Sequence, residues 1–399
     1  MNKKEKTTLV PKLRFPEFKS NGAIVCKNGN LIFEPISNKN HNSDLPVLAI
    51  TQEYGAIPRD HIDYNVSVTD KSLESYKVVE IGDFIISLRS FQGGIEYSIF
   101  HGICSPAYII LRKKVDIVEQ YYKYYFKTNR FIQDLNKDLE GIRDGKMVSY
   151  SQFSAIMLPK PDKKEQQKIA DCLSSLDDLI SAENEKLLVL KDHKRGLMQK
   201  LFPAEEKSLP EWRFPEFGIC EVWEEKKLFN ICRMQAGDFI SATEIDDKRT
   251  SNEFPCYGGN GLRGFSKTFT HVGEYPLIGR QGALCGNVTF VQGKFYATEH
   301  AVVCYPSEDV IVKWLYFQLV KMNLNQYATG QAQPGLSVKV IGKVSVKYPK
   351  NKAEQQRIAD CLTTIDDLIN AQSEKTEELK QHKKSLIQGL YPYTQEVIE

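Results

Sequence analysis

The sequence predicts an α+β chain of two domain-plus-helix units, with a curved β-sheet plus helices in each domain. Two long helices pair between the domains as an antiparallel coiled coil, and the whole forms a pseudo-two-fold internal repeat. Three observations predict this. The phrase EQQKIADCL at 165–173 returns as EQQRIADCL at 354–362, and the offset of 189 holds without a gap from there to Pro203 and Pro392. A second phrase, RFPEF, opens each half, at 14–18 and at 213–217. Each half then crosses a long region where apolar residues alternate between glycine-marked turns, a strand pattern. A period of roughly two hundred residues far exceeds the 20–50 of stacked solenoid repeats, so it marks a duplicated unit.

The four segments follow in order: a first domain at 1–157, a long helix at 158–203, a second domain at 204–347 and a second long helix at 348–399. The first helical copy places Ile169, Leu173, Leu176, Ile180, Leu187, Leu190, Leu197 and Leu201 on one stripe. The second repeats it with Ile358, Leu362, Ile365, Ile369, Leu379, Leu386 and Leu390, and puts Thr376 where Leu187 stands. That is a heptad seam sustained over about five heptads. Asp162 suits the first helix N-cap, and Pro203 and Pro392 stop the two copies. Polar residues interrupt both seams at matched sites, Glu183 with Gln372 and Lys194 with Lys383. Such breaks cost stability and fix register and partner. A chain that must return to begin its second half favours antiparallel pairing of the copies. Packing of each helix on its own domain alone is the other arrangement the stripe allows. The runs KKEQQK, DHKRG and QHKK are expected on the helices' outer faces, as solvated charge or as part of a docking surface.

The two variable regions share a skeleton. Residues 45–57 lie opposite 254–265, 78–90 opposite 270–282, and 105–111 opposite 299–305. The middle pair aligns Gly82 with Gly273 and Arg89 with Arg280. Residues 118–135 and 310–326 each read as one amphipathic helix.

Composition bounds the function classes. The 399 residues carry 26% charged and 41% hydrophobic side chains, ordinary for a soluble globular protein. No stretch approaches eighteen apolar residues, and no apolar run follows the basic start, so neither a membrane span nor a secretory signal is expected. A cytoplasmic location follows. The net charge of +2 argues against coating DNA by charge alone, while leaving local DNA contacts open. Nine cysteines are scattered without a C-x-x-C pair, and the seven histidines form no ligand-spaced pair, so no metal site is expected. His300, in the phrase TEHA, is the most site-like histidine, and its lone position reads as structural.

The opening PKLRFPEF, its mid-chain return, the EQQ(K/R)IADCL starts, the LxxxKxxLxQxL(F/Y)P ends, and the phrases YGGNGLRGF and LIGRQG together resemble the specificity subunits of type I restriction-modification systems. The resemblance spans essentially the whole chain. It implies that the two domains are target-recognition domains, each reading one half of a bipartite site on double-stranded DNA. It implies that the helices space them and dock two methyltransferase subunits, which bind S-adenosylmethionine and methylate adenine. It also implies two restriction subunits, the translocase and nuclease, in the full complex. The chain itself would then be non-catalytic, with no cofactor of its own. Dissimilar domains further imply dissimilar half-sites, since a palindrome needs identical readers.

Arg and Lys read guanine, Asn and Gln read adenine, and hydroxyls and cations hold phosphates. On that chemistry the DNA-binding candidates are Gln52, Tyr54, Arg59, Arg89 and Gln92 in the first domain. In the second they are Tyr257, Asn260, Arg263, Lys267, Arg280 and Gln281. The run GGNGLRG is expected to form a tight loop whose backbone approaches a ligand. Arg89 and Arg280 stand out because divergent copies keep arginine there; a shared structural ion pair would explain them too. No catalytic residues are expected: GIRDGKM at 141–147 departs from a phosphate loop, and no hydrolase, zinc-protease, kinase or adenine-methylation phrase occurs. A silent or alternate specificity cassette would look the same in sequence, and two more distant readings stay open. One is an enzyme with an unrecognised site, against which the duplication speaks. The other is a coiled-coil scaffold with two protein-binding domains and no DNA specificity.

Overall fold

The structure, a computed structural model, describes residues 10–41, 44–62, 73–137, 148–218, 222–282, 284–330 and 334–393. The phrase at 141–147 lies outside them. The chain is α+β and divides into two compact units, Met1–Glu183 with Lys375–Glu399, and Asn184–Glu374. Two helices of 39 residues, Lys163–Leu201 and Lys352–Leu390, each give one portion to each unit. At about 1.5 Å per residue each is roughly 58 Å long. Their starts are capped alike. Asp162 Oδ1 accepts from Glu165 N at 2.9 Å, and Asn351 Oδ1 accepts from Ala353 N at 2.9 Å. Among the described residues no helix is long and apolar enough to cross a membrane.

The first unit centres on a sheet in the order Phe33–Ile36, Ile109–Lys113, Phe84–Ile86, Glu96–Tyr97. Its β-branched and aromatic residues bury one face against an aromatic core of Phe33, Phe84, Tyr121, Tyr122, Phe126 and Phe153. Ile169 and Leu173 from the start of the first long helix join this core, as do Ile387, Leu390 and Tyr391 from the end of the second. Asp177 pairs with Lys383, Tyr124 donates its hydroxyl to the same carboxylate at 2.7 Å, and Glu183 meets Lys375 at 2.5 Å. Within this unit the start of one long helix therefore runs beside the end of the other.

The second unit centres on a sheet in the order Cys232–Ala236, Ala301–Pro306, His271–Gly279, Val288–Ala297, Phe254–Gly258, Gly261–Ser266. Its first three strands repeat the first unit's in order and register. Ile86 pairs with Ile109, and Leu277 with Val303; Ile36 pairs with Ile110, and Met234 with Cys304. The core repeats as well. Trp314, Leu315, Ile358 and Leu362 stand where Tyr121, Tyr122, Ile169 and Leu173 stand, and Met198, Leu201 and Phe202 replace Ile387, Leu390 and Tyr391. Lys194 pairs with Asp366 at 2.6 Å, the repeat counterpart of Lys383 with Asp177. The lysines that interrupt the seam are thus partnered. Each also lies over a ring, Lys194 over Phe317 and Lys383 over Tyr124.

The two repeated phrases meet in space. Arg14 makes a bidentate pair with Glu165, at 2.7 and 2.8 Å, and Arg213 does the same with Glu354, at 2.7 Å twice. The two carboxylates are 1% exposed, and Trp223 Nε1 adds a bond to Glu354 at 3.2 Å. The rest of RFPEF follows. Phe15 and Phe214 lie under Lys168 and Arg357, and Glu17 and Glu216 reach those same cations at 3.5 and 3.4 Å. Just before the arginine, Leu13 N donates to Gly389 O at 2.8 Å and Trp212 N to Lys200 O at 3.0 Å. RFPEF therefore clips the start of one long helix to the end of the other inside each unit.

Two expectations change. KKEQQK was expected on an outer face, but Glu165 and Gln166 are buried. Gln166 accepts from Val118 N at 3.0 Å and donates to Pro161 O at 2.8 Å, and Gln355 repeats this with Ile311 N and Pro349 O. The expected single helices at 118–135 and 310–326 are each broken. Thr128 ends Glu119–Tyr125 and caps Asn129–Asn136 by accepting from Phe131 N. Asn323, at φ 46°, ends Val312–Lys321 before a 3-10 turn.

Removing one partner of a buried pair strands the other charge, a loss of about 3 kcal/mol or more. Arg213→Ala is expected to lower the unfolding free energy by about that much in urea titrations, and Glu216→Ala by about 1 kcal/mol or less, since the latter pair is exposed. Equal effects of the two variants would refute the assignment.

Candidate nucleic-acid interface

In the second unit the strands Phe254–Gly258 and Gly261–Ser266 form a hairpin closed by Gly259 and Asn260. Gly261, at φ 86°, supplies the left-handed residue that so tight a turn requires. The turn is pressed onto the end of His271–Gly279. A Cβ at Gly279 would sit 2.0 Å from Gly259 O, and one at Gly259 would sit 3.1 Å from Gln281 O and 3.4 Å from His300 O. The glycines of GGNGLRG thus permit close approach of the chain to itself, where approach to a ligand was expected.

This packing brings the turn with Asn260 onto Arg280 and Gln281, and Arg263 stands two residues beyond Gly261 on the same hairpin. The backbone between Arg280 and Gly282 is pinned on both sides. Arg280 N donates to His300 O at 2.9 Å, Arg280 O accepts from Leu336 N at 2.8 Å, and Gly282 N donates to Pro334 O at 3.0 Å. The four side chains themselves are exposed. A fixed backbone with free polar side chains is the arrangement that holds donors in place for a ligand. Tyr257 differs: its ring is half-buried, edge-on to Phe295 at 6.0 Å, and burial raises its phenol pKa. Lys267 lies past the far end of the hairpin, roughly 20 Å from the turn at about 3.3 Å per residue. There, with the Thr250 N–H as the stronger influence, it helps hold Glu253 below the usual carboxylate range.

The first unit builds the same meeting of turn and loop with other residues. Leu48–Thr51 and Gly55–Pro58 form a hairpin whose turn carries Gln52 and Tyr54. Gln52 Nε2 donates to Arg89 O at 3.2 Å, and a Cβ at Gly93 would sit 2.5 Å from Gln52 Cδ. Arg89 is the N-cap of the short helix Ser90–Gly93, which carries Gln92. Gln52, Arg89 and Gln92 come together, all exposed, and Tyr54 stands on the same turn, 59% exposed. Arg59 does not join them. It follows the far end of the hairpin, where its N–H bonds Val47 O, and its Nε is buried without a hydrogen-bond partner among the described residues.

Sequence reasoning passed over the turn at Glu299 and His300, which were read as structural or left aside. His300 Nε2 lies 3.2 Å from Glu299 Oε1, and Glu299 Oε2 is buried without a hydrogen-bond partner among the described residues. The turn abuts Gly259 and Arg280. An acid beside an imidazole in TEHA was the available signal.

Burial pushes the Cys26 thiol up to about 11 and Cys104 up to about 12, so both stay protonated at neutral pH. Among the described residues no group of three or more His, Cys, Asp or Glu could hold a metal ion.

Gly279→Ala places a methyl against Gly259 O and must push the hairpin turn away from Arg280. The expected result is a loss of about 1–3 kcal/mol in stability, with backbone amide shifts confined to Gly259–Asn260, Arg280–Gln281 and their neighbours. Wild-type spectra and stability would contradict the packing.

Comparison with known proteins now adds to this geometry. The family model described as type I restriction modification DNA specificity domain matches residues 18–192 and 221–381. The EcoprrI type I restriction enzyme specificity subunit of Escherichia coli is 47% identical over 150 residues, 37% of this chain and 37% of that one, so the chain spans little more than a third of that relative. The MjaVIII specificity subunit of Methanocaldococcus jannaschii is 26% identical over 354 residues, 81% of this chain and 80% of that one. A crystal structure of a type I S subunit from M. genitalium shares the fold with a TM-score of 0.61 at 17% identity, over 97% of this chain and all of that one. With one match in each half and most of its length covered, the chain belongs to the type I restriction-modification DNA specificity family.

Proposed function

We propose that this chain reads an asymmetric bipartite DNA site, one half with each unit, and does no chemistry itself. In this reading residues 1–157 and 204–347 are the target-recognition domains. Residues 158–203 and 348–399 form an antiparallel coiled coil that spaces the domains and docks two methyltransferase subunits. S-adenosylmethionine is then bound by those partners, with two restriction subunits completing the nuclease, all in the cytoplasm. The observation that carries the reading is the contrast inside the repeat. The frame of each unit is the same, down to strand register and the Arg–Glu clip. Around one shared arginine, Arg89 or Arg280, the exposed side chains on the turn and loop differ: Gln52, Tyr54 and Gln92 in one, Asn260, Arg263 and Gln281 in the other. A shared frame with unlike tips suits two readers of unlike sequences.

The recognition chemistry follows from the side chains. Arg89 and Arg280 suit bidentate contact with guanine O6 and N7, and Gln52, Gln92, Asn260 and Gln281 suit adenine N6 and N7. Tyr54, Arg263, Arg59 and Lys267 suit phosphates, the last two from the far ends of the hairpins. Tyr257, half-buried against Phe295, is the remaining DNA-binding candidate of the second unit. The seam pairs Lys194–Asp366 and Lys383–Asp177 support antiparallel register, because each joins the late part of one long helix to the early part of the other. The rival scaffold reading gives no reason for polar tips on pinned backbones.

Arg280→Ala is expected to cost about 1–3 kcal/mol in binding at one base pair of one half-site and nothing at the other half. Competition binding against a panel of half-site variants measures this. A uniform loss across both halves, or no loss at any position, would contradict it.

A further inference from the structure

In the second unit the turn of Thr298, Glu299 and His300 joins Val288–Ala297 to Ala301–Pro306 and meets the end of His271–Gly279, where Arg280 N donates to His300 O at 2.9 Å. The turn is pinned as firmly as the loop it touches. Thr298 N donates to Tyr257 O at 2.9 Å, Ala301 N to Thr298 O at 2.9 Å, and His300 N to Thr298 Oγ1 at 3.3 Å. Arg263 flanks the same glycine as Thr298: a Cβ at Gly258 would lie 3.5 Å from Thr298 Oγ1 and 3.7 Å from Arg263 Cδ. Arg263 and Glu299 are both felt at the Cys256 thiol, whose pKa burial raises most, Arg263 lowers and Glu299 raises. Glu299 thus stands on a fixed turn with Arg280 and Arg263 as neighbours. Among the described residues it pairs with neither. Its Oε1 lies 3.2 Å from His300 Nε2, and its Oε2 is buried without a hydrogen-bond partner.

A carboxylate kept for structure has partners on both oxygens, as Glu165 and Glu354 do. Glu299 does not, so its place beside the tip asks for another reason. It accepts and cannot donate, and phosphates repel it. In the major groove the donors are two amino groups, cytosine N4 and adenine N6. Adenine sets the N7 acceptor beside its amino group, which repels the second carboxylate oxygen, whereas cytosine sets a C–H there. Thymine O4 and guanine O6 turn acceptors toward a carboxylate and are rejected. Cytosine is therefore the base whose edge suits this side chain. Its partner guanine offers O6 and N7 to an arginine such as Arg280. The first unit has Ser105 and Pro106 where the second has Glu299 and His300, and a neutral hydroxyl makes no such demand.

We propose that Glu299 is a specificity-determining residue of the second unit: it accepts from the N4 amino group of a cytosine and so fixes a C·G pair at one position of that unit's half-site. The proposal rests on the reading that this chain recognises DNA.

The test incubates the full chain with duplexes randomised over both half-sites and sequences the bound fraction. Wild type is expected to enrich two blocks, with C·G fixed at one position of the block that Arg280→Ala alters. Glu299→Gln replaces the acceptor with an amide that also donates. It is expected to lower the preference for C·G over T·A at that position about tenfold. The other positions of that block and the whole of the first unit's block should keep their preferences. Should this variant fail to fold, as read by circular dichroism, Glu299→Asp keeps the charge but draws it back by one methylene. It is expected to lower the same preference by a smaller factor. An undiminished C·G preference in the variant that folds would overturn the proposal, as would a wild-type block with no fixed C·G pair. A loss spread evenly over all positions of both blocks would also overturn it, by making the role structural. A wild-type chain that enriches no sequence would overturn the underlying reading, and this proposal with it.

Discussion

The fold depends on one interaction used twice: a part-buried arginine gripping a buried glutamate, Arg14 with Glu165 and Arg213 with Glu354. Each joins the segment that opens a half to the start of the long helix that closes it. The residue before each arginine is hydrogen-bonded to the end of the other long helix in the same unit. A bidentate guanidinium–carboxylate pair demands one geometry, and burial makes a partial fit costly. The pair therefore acts as a locator that sets where the helices begin relative to the sheet, and so where the sheet can place its loops.

From that locator the rest follows by packing. The helix starts bury Ile169 and Leu173, or Ile358 and Leu362, against an aromatic or indole-centred core. That core supports three strands in a fixed register. The strand ends present a loop, the neighbouring hairpin leans its turn onto the loop, and the exposed side chains there occupy corresponding places in both units. Selection can change the tips without touching the frame, because the tips are held by backbone contacts. Gly259 against Gly279 and Arg280 N on His300 O are of this kind.

Much of this was legible in the sequence, and the reasons are physical. The duplication, the heptad stripe and the proline stops are local or periodic signals, and helices of 39 residues appear where they pointed. The alignment of Arg89 with Arg280 agrees with strand pairing, because Ile86–Ile109 and Leu277–Val303 are matched pairs. The clip was not legible. Both phrases repeat, but their partners lie 151 and 141 residues apart, and nothing local says which glutamate an arginine will meet. The charged run KKEQQK therefore looked like a solvated face. The helix breaks at Thr128 and Asn323 were missed because amphipathic spacing continues across them, while a side-chain cap and a left-handed residue interrupt the backbone. Arg59 and Lys267 were grouped with the tips because they are near in sequence. An extended strand carries such residues to the hairpin's other end within a few positions.

Unlike readers on like frames is the claim on which the functional account turns. Its most direct measurement is a genome-wide map of methylated adenines in cells expressing this chain with its methyltransferase partner. The account predicts one motif of two dissimilar short blocks, separated by a fixed run of unread bases. A palindromic motif, a single contiguous block, or methylation indifferent to sequence would contradict it.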